Sequence, residues 1–144
     1  MQDTMLEPCE PVVIMHTSSN GYFYYVQAAN YCGWVSKYNL ALTDRKTWLQ
    51  FVVPTNFLVL QESKFVMDVD KEKVLYQMGA KIPFEKKTLQ GYVIDIPKRN
   101  KNGKLVIENR TLPFDDAFSE GYLPYTTNNI VRLAMKFNGQ EYGW

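Results

Sequence analysis

Apolar residues occur along the first third of the chain in short runs separated by turn residues, which is the pattern of a β-rich fold. The pair Asn20-Gly21 predicts a tight hairpin turn, and Gly33 suits a bulge or a close backbone approach. We therefore predict a small, strongly bent β-barrel over residues 1–47. Its candidate strands are 12–15, 22–27 and 31–36.

The strand predicted at 22–27 is unusually aromatic. Because alternate residues of a strand face opposite sides, Phe23 and Tyr25 should share one face, and Tyr22 and Tyr24 the other. One face must be core. The other is either a surface on which a peptide or sugar stacks or a contact with the neighbouring module.

The same strand-and-turn pattern continues from Trp48 and predicts a second barrel over residues 48–111. Predicted turns at 54–56, 85–87 and 100–103 separate several of its strands. The candidate strands are 48–53, 57–60, 65–69, 74–76, 81–84, 92–96 and 105–108.

The last part of the chain, residues 112–144, predicts a connector followed by one helix over 128–138. Thr126 or Thr127 offers a hydroxyl N-cap, and Gly139 supplies a stop. Apolar residues recur between them at helical spacing, namely Ile130, Leu133, Ala134 and Phe137. The predicted fold class is thus all-β, two small barrels with a short C-terminal α-helix.

Composition narrows the classes of function. The chain has 144 residues, 46% of them hydrophobic, which suffices for a real core, and its formal net charge is only +1. This charge balance does not form the electrostatic footprint of a protein that binds nucleic acid or an anionic membrane. No run approaches the roughly 20 apolar residues of a membrane span, and residues 1–8 lack the features of a signal peptide.

Residues that carry chemistry are few. His16 is the only histidine, so a metal cluster built on several histidines is excluded, and we interpret His16 as the end of a strand. A nucleophilic cysteine would need His16 as its base and a third group to orient it. The acidic stretch 68–72 lacks the glycine and the distal glutamate of a calcium loop. We therefore predict no metal, no cofactor and no catalytic residue.

The order of these features resembles bacterial SH3 domains of the SH3b type, which combine a Glu-Pro strand, an Asn-Gly turn, an aromatic strand and Gly-Trp-Val. Glu10-Pro11-Val12 and Gly33-Trp34-Val35 match that pattern. Residues 79–83 and 91–97 resemble the second SH3b module of NlpC/P60 cysteine peptidases, which hydrolyse bacterial cell-wall peptides. Residues 112–114 and 121–126 resemble the connector to their catalytic domain.

The tail at 139–144 resembles the start of that catalytic domain. In the family a Tyr-Gly-Trp-Gly-like turn leads shortly to an Asp-Cys-Ser nucleophile, a sequence that occurs nowhere in this chain. The resemblance thus implies the non-catalytic front of a peptidase that cleaves γ-D-glutamyl-diamino-acid bonds. Its partners would be a wall peptide and a downstream catalytic domain, located in the bacterial cell envelope or the cytoplasm.

Glu10 and Tyr31 are the substrate-binding residues that the resemblance implies. In the family an acidic residue and a tyrosine of the first barrel help to select wall peptides with a free L-alanine amine. A carboxylate forms charge-assisted hydrogen bonds with an ammonium group, and a phenol donates or accepts. The alternative is that Glu10 is merely exposed and that Tyr31 only packs.

The sequence also allows other interpretations. The family architecture would bring Cys9 and Cys32 near each other, so they form either a disulfide or two small buried hydrophobes. The whole chain is alternatively a stand-alone module that binds wall peptide or a protein partner, or a remnant of a truncated gene. A small thiol enzyme using Cys9 or Cys32 is a further alternative.

Overall fold

The computed structural model describes residues 5–69 and 72–140 of the chain. Its strands form one three-stranded sheet, one five-stranded sheet and one two-stranded ribbon. The predicted all-β fold with a C-terminal helix is confirmed. In chain order the strands and α-helices are β1 (Val13–Thr17), β2 (Phe23–Gln27), β3 (Cys32–Ser36), α1 (Arg45–Val52), β4 (Phe57–Leu60), β5 (Lys64–Val69), β6 (Glu72–Gln77), β7 (Lys81–Thr88), β8 (Gly91–Arg99), β9 (Leu105–Leu112), β10 (Phe118–Glu120) and α2 (Thr127–Met135).

The first sheet is the antiparallel meander β1-β2-β3. The predicted hairpin turn joins β1 to β2, where Gly21 has a φ of 70° and the Asn20 side chain accepts a hydrogen bond from the Tyr22 amide at 3.1 Å. Only a residue that tolerates a positive φ fits at Gly21, which is why the Asn-Gly pair was informative. The register shifts between Ile14 and His16, so β1 carries a bulge.

The second barrel contains most of the core. Its five-stranded sheet has the order β10-β4-β7-β8-β9, and the β5-β6 ribbon packs its apolar side chains into the same cluster. Residues 118–120, which the sequence placed in the connector, form β10 and pair with β4. The most completely buried side chains of the cluster are Leu58, Leu60, Tyr76, Ile82 and Ile94.

Two local predictions are wrong. Residues 48–53 do not form a strand, because Asp44 caps a helix by accepting the Thr47 amide at 2.9 Å, and the run continues as α1. Phe51 is the only buried residue of this helix. A strand that is buried on both faces would place more of these apolar side chains in the core. Residues 85–87 do not form a turn either, since β7 runs through them with a register shift between Phe84 and Lys86.

Helix α2 begins as expected. Thr126 is its N-cap, with a side-chain oxygen that accepts the Asn129 amide at 3.3 Å. Polar contacts hold the helix on the second barrel, because Arg132 donates to Gln61 at 2.7 Å and Lys136 pairs with Glu62. Neither helix is long and apolar enough to cross a bilayer, within the described ranges. Residues 141–144 of the tail motif lie outside the described residues.

Candidate functional site

A cleft of about 1610 Å³ lies where the first sheet meets the second barrel. One wall comes from residues 5–12, which precede β1, and from parts of β2 and β3. The other walls come from residues 38–45, from β6 and from the end of β8. The cleft is therefore a product of tertiary packing between parts of the chain that are far apart in sequence.

A tight turn places Glu10 at this cleft. The Glu10 amide donates to the Glu7 carbonyl at 3.1 Å, and the Glu7 amide donates to Glu10 Oε2 at 3.0 Å. Cys9 inside the turn has a φ of 70°. Glu7 Oε2 in turn accepts the backbone amide of Gln77 at 3.0 Å, which anchors the turn on β6. Glu10 thus lies at the cleft in a hydrogen-bonded turn, with Oε2 held by the Glu7 amide.

Cys9 is the partly buried anchor of the same segment. Its thiol packs against the core of the second barrel and lies 3.9 Å from the Asp95 carbonyl oxygen. Burial raises the pKa of Cys9 to about 12, while a hydrogen bond with Tyr76 lowers it and the Asp95 charge raises it. The thiol is therefore neutral at physiological pH, which contradicts its use as a nucleophile.

The two cysteines do not form a disulfide. Cys9 is bound between β6 and β8 of the second barrel, as its contacts with Tyr76 and Asp95 show. Cys32 is exposed at the start of β3, opposite Gln27. The expectation that both cysteines are buried is therefore wrong for Cys32.

Tyr31 lies directly before β3 and does not line the cleft, as far as the described residues show. Its carbonyl oxygen accepts the Ala28 amide at 2.8 Å and Gln27 Nε2 at 3.1 Å. Its phenol lies over Gly33 so closely that a Cβ there would be 2.0 Å from the hydroxyl oxygen. The structure therefore brings Glu10 to the cleft but not Tyr31, and a shared role of the two residues stays a prediction.

Aromatic side chains line the cleft beside Glu10. Phe23 and Trp34 lie in its wall and remain 44% and 49% exposed, so they offer apolar area to a ligand. Trp34 is supported by Tyr25, with the ring centroids 5.3 Å apart in an edge-to-face arrangement. Trp48 of α1 also lines the cleft and donates its indole N–H to the Val12 carbonyl at 3.0 Å.

Arg99 is a cleft residue that the sequence did not reveal. The stretch 98–104 resembles a solvated lysine-rich turn, and only the fold brings it against residues 38–42, where Leu42 pairs with Lys104 in a parallel bridge. Arg99 Nε donates to the Leu40 carbonyl at 3.1 Å, and its guanidinium lies 5.6 Å from the Tyr38 ring centroid.

The described residues contain no group of three or more histidine, cysteine or acidic side chains able to hold a metal ion. His16 is exposed in β1 and lies opposite Tyr25. Its position agrees with the interpretation that it ends a strand.

Comparison with known proteins agrees with this architecture. Residues 1–36 match the family model of the SH3 domain of SH3b1 type. The N-terminal module is of the SH3b1 type. No curated protein matches the chain with significance. Glu10, Tyr31 and the aromatic pair Phe23 and Trp34 all belong to this SH3b1 module, whereas Arg99 comes from the second barrel.

The fold of the chain is also similar to a solved NlpC/P60 endopeptidase from Photobacterium damselae subsp. piscicida. The TM-score is 0.67 at 16% identity, and the match covers 84% of this chain and 26% of that protein. The chain thus spans about a quarter of the length of the endopeptidase. The sequence resemblance to the SH3b region of such peptidases is confirmed at the level of the fold.

Proposed function

We propose that this chain is the non-catalytic, substrate-positioning region of a bacterial cell-wall peptidase, and that its cleft binds the amino end of a wall peptide. The observation that carries the proposal is Glu10, which a hydrogen-bonded turn of the SH3b1 module presents at the cleft. The SH3b1 match and the fold shared with an NlpC/P60 endopeptidase support it.

The chemistry of the site suits a short peptide with a free amine. The Glu10 carboxylate accepts charge-assisted hydrogen bonds from an ammonium group, and the exposed faces of Phe23 and Trp34 cover the apolar parts of the peptide. The resemblance implies a part for Tyr31 as well, but its phenol packs over Gly33 and does not line the cleft. The catalytic cysteine and histidine would come from a downstream domain, and we expect the chain alone to lack peptidase activity.

Calorimetric titration with L-alanyl-γ-D-glutamyl-L-lysine and with its N-acetyl form tests the proposal. We expect the free amine to bind about fivefold more tightly, the size of one exposed charge-assisted contact. Glu10→Gln keeps an acceptor for the Glu7 amide, so it should preserve the turn while removing this preference. Glu85→Gln is the matched control, because Glu85 is exposed on β7 away from the cleft.

Two results would overturn the proposal. The first is that neither form of the peptide binds. The second is that Glu10→Gln retains the full preference for the free amine, which would assign the amine to another group.

The alternative function, a module that binds a protein partner, has one observation in its favour. Helix α2 exposes the apolar residues Ile130, Val131 and Met135, and Phe137 is exposed just past its end. Two results together would support this alternative. The chain would not bind the peptide, and changing Met135 and Phe137 to serine would abolish its binding to a protein partner.

A further inference from the structure

We propose that Arg99 forms a carboxylate-binding subsite in the same cleft, so that the cleft takes a zwitterionic peptide of three or four residues. The inference rests on the proposed function and deepens it, since it assigns the other end of the peptide. Glu10 would bind the ammonium group, and Arg99 a carboxylate.

Strand β8 passes near the turn that carries Glu10 and ends at Arg99. Glu10 follows Cys9, whose sulfur lies beside the Asp95 carbonyl, and Arg99 lies four residues farther along the same strand. Four residues of β-strand span roughly 13 Å. An extended peptide of three to four residues covers about 10–14 Å, which is about the length of this stretch of β8. The strand residues between them, Ile96 to Lys98, also line the cleft.

The guanidinium of Arg99 is held ready for an anion. Its Nε–H is committed to the Leu40 carbonyl, and one face is against Tyr38. Gly103 lies against the terminal nitrogen, because a Cβ there would be 2.9 Å from Nη2. These contacts orient the planar group while its Nη nitrogens retain donors for the fork that a carboxylate fits.

Arg99 has no ion pair with a carboxylate in the ranges 5–69 and 72–140, and the same holds for the cleft residues Arg45 and Lys73. Lys98 pairs with Glu108 on β9. Asp44 caps α1 through Thr47. Arg45 also lines the cleft, but it lies in the first turn of α1, and it therefore serves as a control of equal charge.

The test compares L-alanyl-γ-D-glutamyl-L-lysine with two neutralised forms, one amidated at the C-terminal carboxyl and one at the α-carboxyl of the glutamate. The ratio of acid to amide affinity is measured by calorimetry within each protein variant. We expect one of the two amides to bind the wild-type chain about three- to fivefold more weakly than the acid. The amide that binds more weakly shows which carboxylate Arg99 binds, because that carboxylate is the one it lacks.

In Arg99→Gln the acid and that amide should bind equally, and Arg45→Gln should keep the wild-type ratio. Arg99→Lys retains the charge without the planar fork and should lose most of the discrimination, which separates geometry from net charge. Because each ratio is taken within one variant, a general loosening of the cleft does not change it.

The proposal is overturned if Arg99→Gln discriminates acid from amide as the wild type does, or if Arg45→Gln abolishes the discrimination equally. It is also overturned if the wild type binds both amides as tightly as the acid. In that last case a preference for the free amine that depends on Glu10 would leave the proposed function intact. Failure of every peptide to bind would remove both.

Discussion

Replacing Gly33 with alanine places a methyl group where the phenol of Tyr31 lies. The added Cβ would be 2.0 Å from the hydroxyl oxygen and 2.5 Å from Cζ, whereas ordinary contacts begin near 3.4 Å. The end of the ring must therefore retreat by about 1.4 Å. The φ of Gly33 is not positive, so its backbone does not resist the substitution.

Two opposed terms set the expected change in the free energy of unfolding. Forcing a side chain out of a packed position costs about 1–3 kcal/mol. Alanine in place of a strand glycine contributes about 0.5–1 kcal/mol in the other direction, because the unfolded chain loses freedom. We expect Gly33→Ala to destabilise the wild type by about 0.5–2 kcal/mol. In a Tyr31→Ala background the clash is absent, and the same change should stabilise by about 0.5–1 kcal/mol.

Urea unfolding of the four proteins in this cycle gives the coupling energy between the two positions. We expect about 1–3 kcal/mol, with unchanged m-values. A coupling energy near zero, or an equal effect of Gly33→Ala in both backgrounds, would refute the packing of Tyr31 over Gly33. If Tyr31 contributes to the peptide site, Gly33→Ala should weaken peptide binding as Tyr31→Phe does.

Two further predictions concern the core and the buried thiol. Leu58→Ala should lower the free energy of unfolding by about 2–5 kcal/mol, because Leu58 is 0% exposed, whereas Leu89→Ala at a 102% exposed site should not change the urea midpoint. Equal midpoint shifts would contradict the assigned core. Iodoacetamide at pH 8 should label Cys32 in the native chain and Cys9 only after unfolding, because burial raises the pKa of Cys9 to about 12. Since this folded pKa lies above the ordinary value of 9.0, Cys9 should stabilise the fold fully below pH 9 and progressively less between pH 9 and 12. Equally fast labelling of both thiols would contradict this account.

Much of the secondary structure could be predicted because its causes are local. The Asn20-Gly21 pair selects a hairpin through the positive φ of Gly21, and Thr126 starts α2 through one side-chain hydrogen bond. The strand at 48–53 was predicted wrongly because its apolar run carries both helix and strand periodicity. The cap at Asp44 and the burial of Phe51 decided for the helix.

The candidate site was predictable only in part. We predicted Glu10 and Tyr31 from the order of motifs in the sequence, and the structure brings only Glu10 to the cleft. Arg99 had no signal in the sequence, because its partner Leu40 is 59 residues away. The sequence likewise left Cys9 as a candidate disulfide partner of Cys32, whereas the fold places Cys9 beside Tyr76 and Asp95.

The sequence by itself determined the elements whose stability depends on neighbours a few residues away: the hairpin turn, the helix caps and the alternation along the strands. It also carried the motifs of an SH3b1 module, which a family model recognises over residues 1–36. Only the tertiary structure decided the cleft, the burial that keeps the Cys9 thiol neutral and the orientation of Arg99. These properties arise from contacts between residues distant in the chain, and their energies do not exist until the two modules pack together.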